Sequence, residues 1–354
     1  MNDEPALVPG ADWDSLDVET PSVVYDPANT PDRRYVMAYS GYNKNEEYRI
    51  GIAFSGDGQK FTRVAANESP YGKAGLILMP SEALPRATSM TKGVIADPDI
   101  TLLNGVYHMW FSSFACSGSC LPSETLAWGI SHAISTDGIH WFADSANPVT
   151  SLIDQYGSGG AQPSVVYDSV RSKWHLWFSN DRPHERDNLA RNSNSVYGFR
   201  HAVANDAKNW SVDYSTPPDF RWQRTLPFEA LGLVTGVESV IRNDTAWLFY
   251  TAVDSIDAPA GSYVDVNSSV NSFGFSRGVF TLNSAFNGLR GYETLNEHKN
   301  SKHTSLKLFH LICRGSSVIG FYTAFTCHAE LNLYEISGKK AATLFDGDVP
   351  IGKE

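Results

Sequence analysis

The chain has 354 residues, of which 42% are hydrophobic, 12% aromatic and only 19% charged, a balance that can bury a sizeable core. Its formal net charge of −11 argues against nucleic acid, whose phosphates require a basic footprint, and against a strongly anionic polymer as ligand. No apolar run approaches the roughly 18 residues of a membrane span, and no HExxH, paired CxxC, G-x-S-x-G elbow or phosphate loop is present.

Residues 1–17 are a polar, acidic lead-in, expected to add an outer strand to the last repeat described below. They lack a signal-peptide core, so a secreted or periplasmic location implies an export signal outside this sequence. The first strand-like runs follow as VETPSVVYD around Ser22 and GIAFSGDGQKF around Asp57. The loop 65–93, with Pro70, Gly72, Gly75, Pro80 and Pro85, has no periodicity and is expected to lie over one face. The clearest unit spans residues 94–141. Val94 to Leu103 is a strand carrying Asp97 and Asp99 around Pro98. An Asn104-Gly105 turn, the strongest short hairpin signal, leads into Val106 to Ser113. A third strand, Trp128 to Ser135, ends in a Thr136-Asp137-Gly138 turn before Trp141.

This unit recurs. With Asp99 as anchor, its first strand matches VETPSVVYD at Ser22, AQPSVVYD at Ser164, GVESVIRND at Ser239 and KHTSLKLFH at Ser305. The anchor intervals are 77, 65, 75 and 66 residues. Each anchor precedes an aromatic–hydroxyl pair: Tyr39-Ser40, Phe111-Ser112, Phe178-Ser179, Tyr250-Thr251 and Tyr322-Thr323. The third strand repeats with a turn acid (Asp57, Asp137, Asp206) four residues before Phe61, Trp141 or Trp210. Five meanders at this spacing predict an all-β chain, a five-bladed β-propeller forming one domain over 1–354. The blades are expected near 18–64, 94–145, 159–214, 233–286 and 289–347. A polar insertion, 180–195, interrupts blade three, and a linker with Pro217, Pro218 and Trp222 precedes blade four.

The innermost strand of each blade lines the axis, so equivalent positions form rings. Two residues before the anchor the ring is Thr20, Asp97, Gln162, Val237 and His303. One residue before, it is Pro21, Pro98, Pro163, Glu238 and Thr304. The anchor ring is serine except for Asp99, and Glu19 is the sole acid three residues before it. Acids thus replace Thr, Gln, Pro or Ser at four places where other blades manage without them. Convergent carboxylates at a concave centre are what glycoside hydrolysis requires, one as acid and one as base or nucleophile. The alternatives are structural: Asp99 as a cap for a neighbouring strand, and Glu19 paired with an arginine such as Arg34.

Blades two and three, with DPDITLLNGVYHMWFSS and QPSVVYDSVRSKWHLWFSN, resemble the five-bladed glycosidases of glycoside hydrolase family 43 and its relatives. The resemblance implies a general base in an Asp-Pro opening, which Asp97 matches. It implies an axial histidine beside a metal ion or water, which His303 matches; no cofactor is otherwise required. VETPSV resembles the family's Ile-Glu-x-Pro acid motif at Glu19, while Glu238 lies in the blade expected to carry the acid, two residues later. The sequence departs from the family at Thr20, where blade one would hold the base, and at Gln162, where blade three would hold a pKa-tuning aspartate.

The expected activity is therefore glycosidase, furanosidase- or arabinanase-like, with Asp97, Glu238 and Glu19 as catalytic candidates. Asp99, Gln162, His303, His132, His201, Trp110 and Asp181 are candidates for substrate binding. His132 and His201 are also read as core histidines, and Trp110 with Trp177 as core tryptophans. The alternatives are a non-catalytic carbohydrate-binding propeller and a polysaccharide lyase with a histidine or tyrosine base. A sialidase-type turn at 135–141 comes without a recognisable arginine triad. A carbohydrate is the expected partner, with no nucleic acid, no membrane and a monomeric state. Cys116 with Cys120, and Cys313 with Cys327 on neighbouring strands, permit two disulfides. Asn67, Asn209, Asn243 and Asn267 head glycosylation triplets.

Overall fold

A computed structural model describes residues 5–44, 48–119, 125–153, 159–179, 199–212, 234–242, 245–255, 270–279, 293–294, 306–313, 316–323, 327–334 and 340–349. The chain is nearly all-β. Among the described residues the single α-helix is α1, the four-residue turn Pro80–Ala83. Strands β1 to β13 fall in one compact unit and β14 to β21 in another.

The first unit holds three antiparallel meanders. The first sheet joins β1 (Asp17–Tyr25), β2 (Tyr35–Tyr42), β3 (Arg49–Ser55) and β4 (Thr62–Arg63), with β5 (Leu76–Leu78) added beside β3. The second joins β6 (Lys92–Leu103), β7 (Val106–Cys116), β8 (Thr125–Ser135) and β9 (Phe142–Ala143). The third joins β10 (Ala161–Asp168), β11 (Lys173–Ser179), β12 (Phe199–Ala204) and β13 (Trp210–Ser211). The Ser-x-Asp-Gly turns close the same way in the first two sheets. The Ser55 and Ser135 hydroxyls meet Asp57 and Asp137, and those carboxylates accept the next backbone N–H groups.

Period-2 alternation explains how the sheets stack. On β7, Tyr107, Met109 and Phe111 join Val36, Ala38, Ile52 and Phe54 of the first sheet in one buried cluster. Trp110, on the opposite face, packs with Trp174, Leu176 and Phe178 of the third sheet. The second strand β7 therefore turns one face to the first sheet and the other to the third. On the first sheet the face bearing Met37 and Tyr39 is covered by Trp13, which stacks on Tyr39 at 5.6 Å and donates from Nε1 to Ala74 O. Arg63 Nε, 2.7 Å from Asp14 Oδ2, clamps the same segment. The lead-in thus packs on the first sheet, and residues 5–16 form no strand. The loop 65–93 is more than a cover: it supplies β5, and Ala83, Leu84 and Ala87 enter the core between the first two sheets.

In the second unit, β14 (Val234–Arg242), β15 (Thr245–Ser255), β16 (Val270–Val279) and β17 (Glu293–Thr294) form a fourth meander, reaching past the boundary expected at residue 286. The last repeat is two hairpins rather than one sheet among the described residues. One pairs β18 (Leu306–Cys313) with β19 (Ser316–Thr323), the other β20 (Cys327–Tyr334) with β21 (Lys340–Val349). Cys313 and Cys327 accordingly lie on strands of different hairpins. Cys116 is disulfide-bonded; Cys120 lies outside the described residues.

Candidate functional site

The first strands of the four meanders share one irregularity. Each ladder shifts register over a two-residue bulge: 20–21 in β1, 97–98 in β6, 162–163 in β10 and 236–237 in β14. The first bulge residue has a left-handed backbone, with φ of 48° at Thr20, 51° at Asp97, 52° at Gln162 and 62° at Gly236. A side chain with a Cβ is strained there, and a β-branched threonine most of all. Because the conformation recurs in every meander, it belongs to the architecture; at Asp97 alone it would have suggested a catalytic distortion.

The bulges correct the alignment of the fourth repeat. Gly236, not Val237, is equivalent to Asp97, and Glu238, not Ser239, is equivalent to Asp99. The signal was in the sequence: glycine is the residue most at ease with φ above zero, so Gly236 marks the frame.

Two repeated clasps hold neighbouring first strands together. In the first, the anchor side chain accepts the N–H that follows the next anchor: Ser22 Oγ from Ile100 at 3.1 Å, and Asp99 Oδ2 from Val165. Ser22 Oγ also donates to Asp99 Oδ1 at 2.8 Å, so both oxygens of Asp99 serve this clasp. In the second, the recurring hydroxyl of the second strand accepts the N–H of the next bulge residue. Ser40 Oγ takes it from Asp97 at 2.8 Å, and Ser112 Oγ from Gln162 at 2.7 Å. The same hydroxyls meet the bulge side chains of their own sheets. Thr20 Oγ1 lies 2.6 Å from Ser40 Oγ, Ser112 Oγ donates to Asp97 Oδ2 at 2.7 Å, and Ser179 Oγ donates to Gln162 Oε1 at 2.8 Å. Asp97 is thereby fixed in backbone and side chain at once.

Glu19 and Asp97 occupy adjacent first strands and both are half-buried. Burial pushes Asp97 up to about 6; the Ser112 hydroxyl opposes this, and the nearby Glu19 charge adds to it. Burial also raises Glu19 above its usual range, against a hydrogen bond from Tyr48 and with a further push from Asp17. Tyr48, rather than Arg34, is thus the residue hydrogen-bonded to Glu19. Asp99, also at about 6 through burial, is opposed by its hydrogen bonds to Val165, Ser22 and Ile100. The chemistry available is a pair of interacting carboxylates, both raised above the usual carboxylate range, beside an amide (Gln162) and two hydroxyls.

Other expected residues lie elsewhere. His132 is 1% exposed, with Nε2 3.2 Å from His108 Nδ1, and its ring packs on Trp110, which is fully buried. His201 sits in the equivalent place of the third sheet, its Nε2 3.0 Å from His175 Nδ1 and its ring stacked on Trp177. Burial lowers all four histidines, His132 to about 3 and His175 to about 4, which favours their neutral forms. The structure places His132 and Trp110 between the second and third sheets and His201 beside Trp177 on the third, and does not bring them to the carboxylate pair. Glu238 belongs to the second unit, where it is exposed. His303 and Asp181 lie outside the described residues. No group of three or more His, Cys, Asp or Glu among the described residues is arranged to hold a metal ion. Tyr48 and Tyr42 were missed, since nothing in the repeat singles them out.

No protein-family model matches the sequence, and no curated protein matches it. Glycoside hydrolases are among the solved structures it resembles. A glycosyl hydrolase from Bacteroides ovatus aligns with a TM-score of 0.56 at 14% identity, over 91% of this chain and 92% of that one. A β-fructofuranosidase of glycoside hydrolase family 32 from Bombyx mori gives 0.53 at 10% identity, over 95% of this chain and 61% of that one. A structure from the family 130 mannoside phosphorylases and hydrolases gives 0.51 at 15% identity, over 77% and 73%. At these identities the likeness speaks for a shared fold.

Proposed function

We propose that the chain is a five-bladed β-propeller glycoside hydrolase that cleaves a furanoside or a neutral polysaccharide side chain through a two-carboxylate mechanism. The observation that carries this is the Glu19–Asp97 pair: two half-buried acids on adjacent first strands, interacting and both raised. Enzymes obtain an acid and a base from two carboxylates by such environmental tuning. The repeated meander and the glycoside hydrolase neighbours support the architecture and the reaction class.

In this scheme Asp97 is the member that holds a proton at weakly acidic pH and acts as the acid, while Glu19 serves as base or nucleophile. That reverses the base role implied for Asp97 by the family resemblance. Gln162, beside Asp97 in the clasp series, orients a sugar hydroxyl, and Asp99 serves the strand clasp. Glu238 stays a candidate by its place in the repeat, as does His303 with a metal ion or water by the family resemblance alone. Secretion and a monomeric state complete the proposal.

The test is product analysis on arabinan, xylan, fructan and galactan with wild type, Glu19→Gln, Asp97→Asn and Glu238→Gln. Sugar release that Glu19→Gln and Asp97→Asn abolish, with folding intact, upholds the pair. Loss on Glu238→Gln and not on Glu19→Gln moves the second role to Glu238. Saturable sugar binding without cleavage, surviving all three changes, makes the chain a carbohydrate-binding propeller instead.

A further inference from the structure

We infer that Tyr48 is a positioning residue for this site, its hydroxyl bonding the Glu19 carboxylate and fixing which oxygen is left free for the sugar. This rests on Glu19 having the role given above. Tyr48 precedes β3 by one residue and Tyr42 ends β2, so the two face each other just beyond the Gly41–Arg49 pair. Their rings stack with centroids 4.5 Å apart and planes 26° apart, a cross-strand aromatic pair that sets the direction of the phenol.

Three strands converge on this one residue. Its hydroxyl meets Glu19 of β1, and its ring packs on Tyr42 of β2. Its carbonyl accepts the N–H of Ile95 at 3.3 Å, two residues before Asp97 on β6. Tyr48 is therefore tied to both acid-bearing strands, and the equivalent places of the other meanders did not suggest it from sequence.

Toward the Glu19 carboxylate the phenol is the donor. Burial and the Glu19 charge hold it far above the usual tyrosine value, which favours the neutral hydroxyl. The other titratable groups facing Glu19 are Asp17 on its own strand and Asp97 on β6, while Tyr42 adjoins Tyr48. Glu46 and Glu47 lie outside the described residues. Among the described groups that act on Glu19, the Tyr48 donor is the one that favours the anion.

Tyr48→Phe tests this, because phenylalanine keeps the ring and its stack and deletes only the donor. In the full chain, carbon-13 NMR would follow the Glu19 carboxyl, and the pH profile of sugar release would be recorded in parallel. The expected result is a rise of the Glu19 midpoint by about one pH unit, matching a hydrogen bond to a charged group. One limb of the pH profile moves the same way, while the melting temperature changes little. An unmoved Glu19 midpoint in a folded Tyr48→Phe protein overturns the inference and leaves the carboxylate pair standing. Absence of sugar release in wild type removes the glycosidase reading, and the NMR midpoint still decides whether Tyr48 donates to Glu19.

Discussion

The buried histidine pairs make a stability prediction that can be worked through. The first sheet carries Val36 and Ile52 where the second carries His108 and His132, since the register sets Ala38 against Ile52 and Trp110 against His132. The perturbation is the double change His108→Val and His132→Ile. His132 is neutral in the fold, with its pKa at about 3 against 6.5 for a free histidine. Below that free value the unfolded chain binds more protons, so stability falls as pH falls. Between pH 7.5 and 4.5 the loss for His132 alone comes to about 3 kcal/mol, from a little under two pH units of proton linkage. His108 is lowered too and shifts in the same direction, so that figure is a floor.

The carboxylates oppose this in wild type. Asp97 and Asp99 stand at about 6 in the fold, above the ordinary 3.8, so their contribution is present at low pH and lost as pH rises through 6. A pH scan of wild type alone would therefore mix two opposing contributions. The difference between variant and wild type removes the carboxylate contribution. Urea unfolding of both proteins at pH 7.5, 6 and 4.5 should show the variant gaining on wild type by about 3 kcal/mol or more across the range. A difference that stays constant with pH refutes the assignment of His132 as a neutral core residue.

Three further changes address the clasps and the bulge. Asp99→Ala strands the Val165 N–H and the Ser22 hydroxyl and should cost about 2–4 kcal/mol in chemical denaturation, whereas Asp99→Ser, copying Ser22 and Ser164, recovers part of it. Ser112→Ala removes a donor from Asp97 and an acceptor from the Gln162 N–H. It should lower stability by about 1–3 kcal/mol and raise the Asp97 midpoint in an NMR titration. Gly236→Val forces a β-branched side chain into a left-handed backbone and should lower the melting temperature, at a cost of roughly 1–2 kcal/mol. Gly236→Asn should cost less, and equal melting of the two variants would show that the bulge tolerates any side chain.

Much of the architecture is legible in the sequence because it rests on local rules. Asn104-Gly105 marks a hairpin through its own backbone preferences, and Ser135-Thr136-Asp137-Gly138 closes a turn with its own side chains. Alternation on β7 places Tyr107, Met109 and Phe111 on one face and Trp110 on the other whatever surrounds them. The fourth repeat slipped by one residue because alignment on Ser239 followed side-chain type, whereas the bulge follows backbone conformation, which Gly236 marks.

The candidate site is less legible because several roles depend on partners from other strands. His132 and His201 look alike as catalytic or core residues in sequence, and their burial beside Trp110 and Trp177 distinguishes the two. Asp99 reads as an odd acid in a serine ring until its oxygens are seen to hold Ser22 and Val165. Tyr48 has no sequence signal at all; only the β2–β3 turn sets it beside Glu19.

The sequence by itself determined the strands, their turns, the repeat and the positions where acids interrupt it, since propensity, period and glycine geometry act over a few residues. Only the tertiary structure decided which acids meet and which are occupied elsewhere. Glu19 and Asp97 come from strands about 77 residues apart, on the spacing of their anchors, and share a field only once the sheets have stacked. Protonation in such a site is set by burial and through-space charge, and neither is a property of the local sequence.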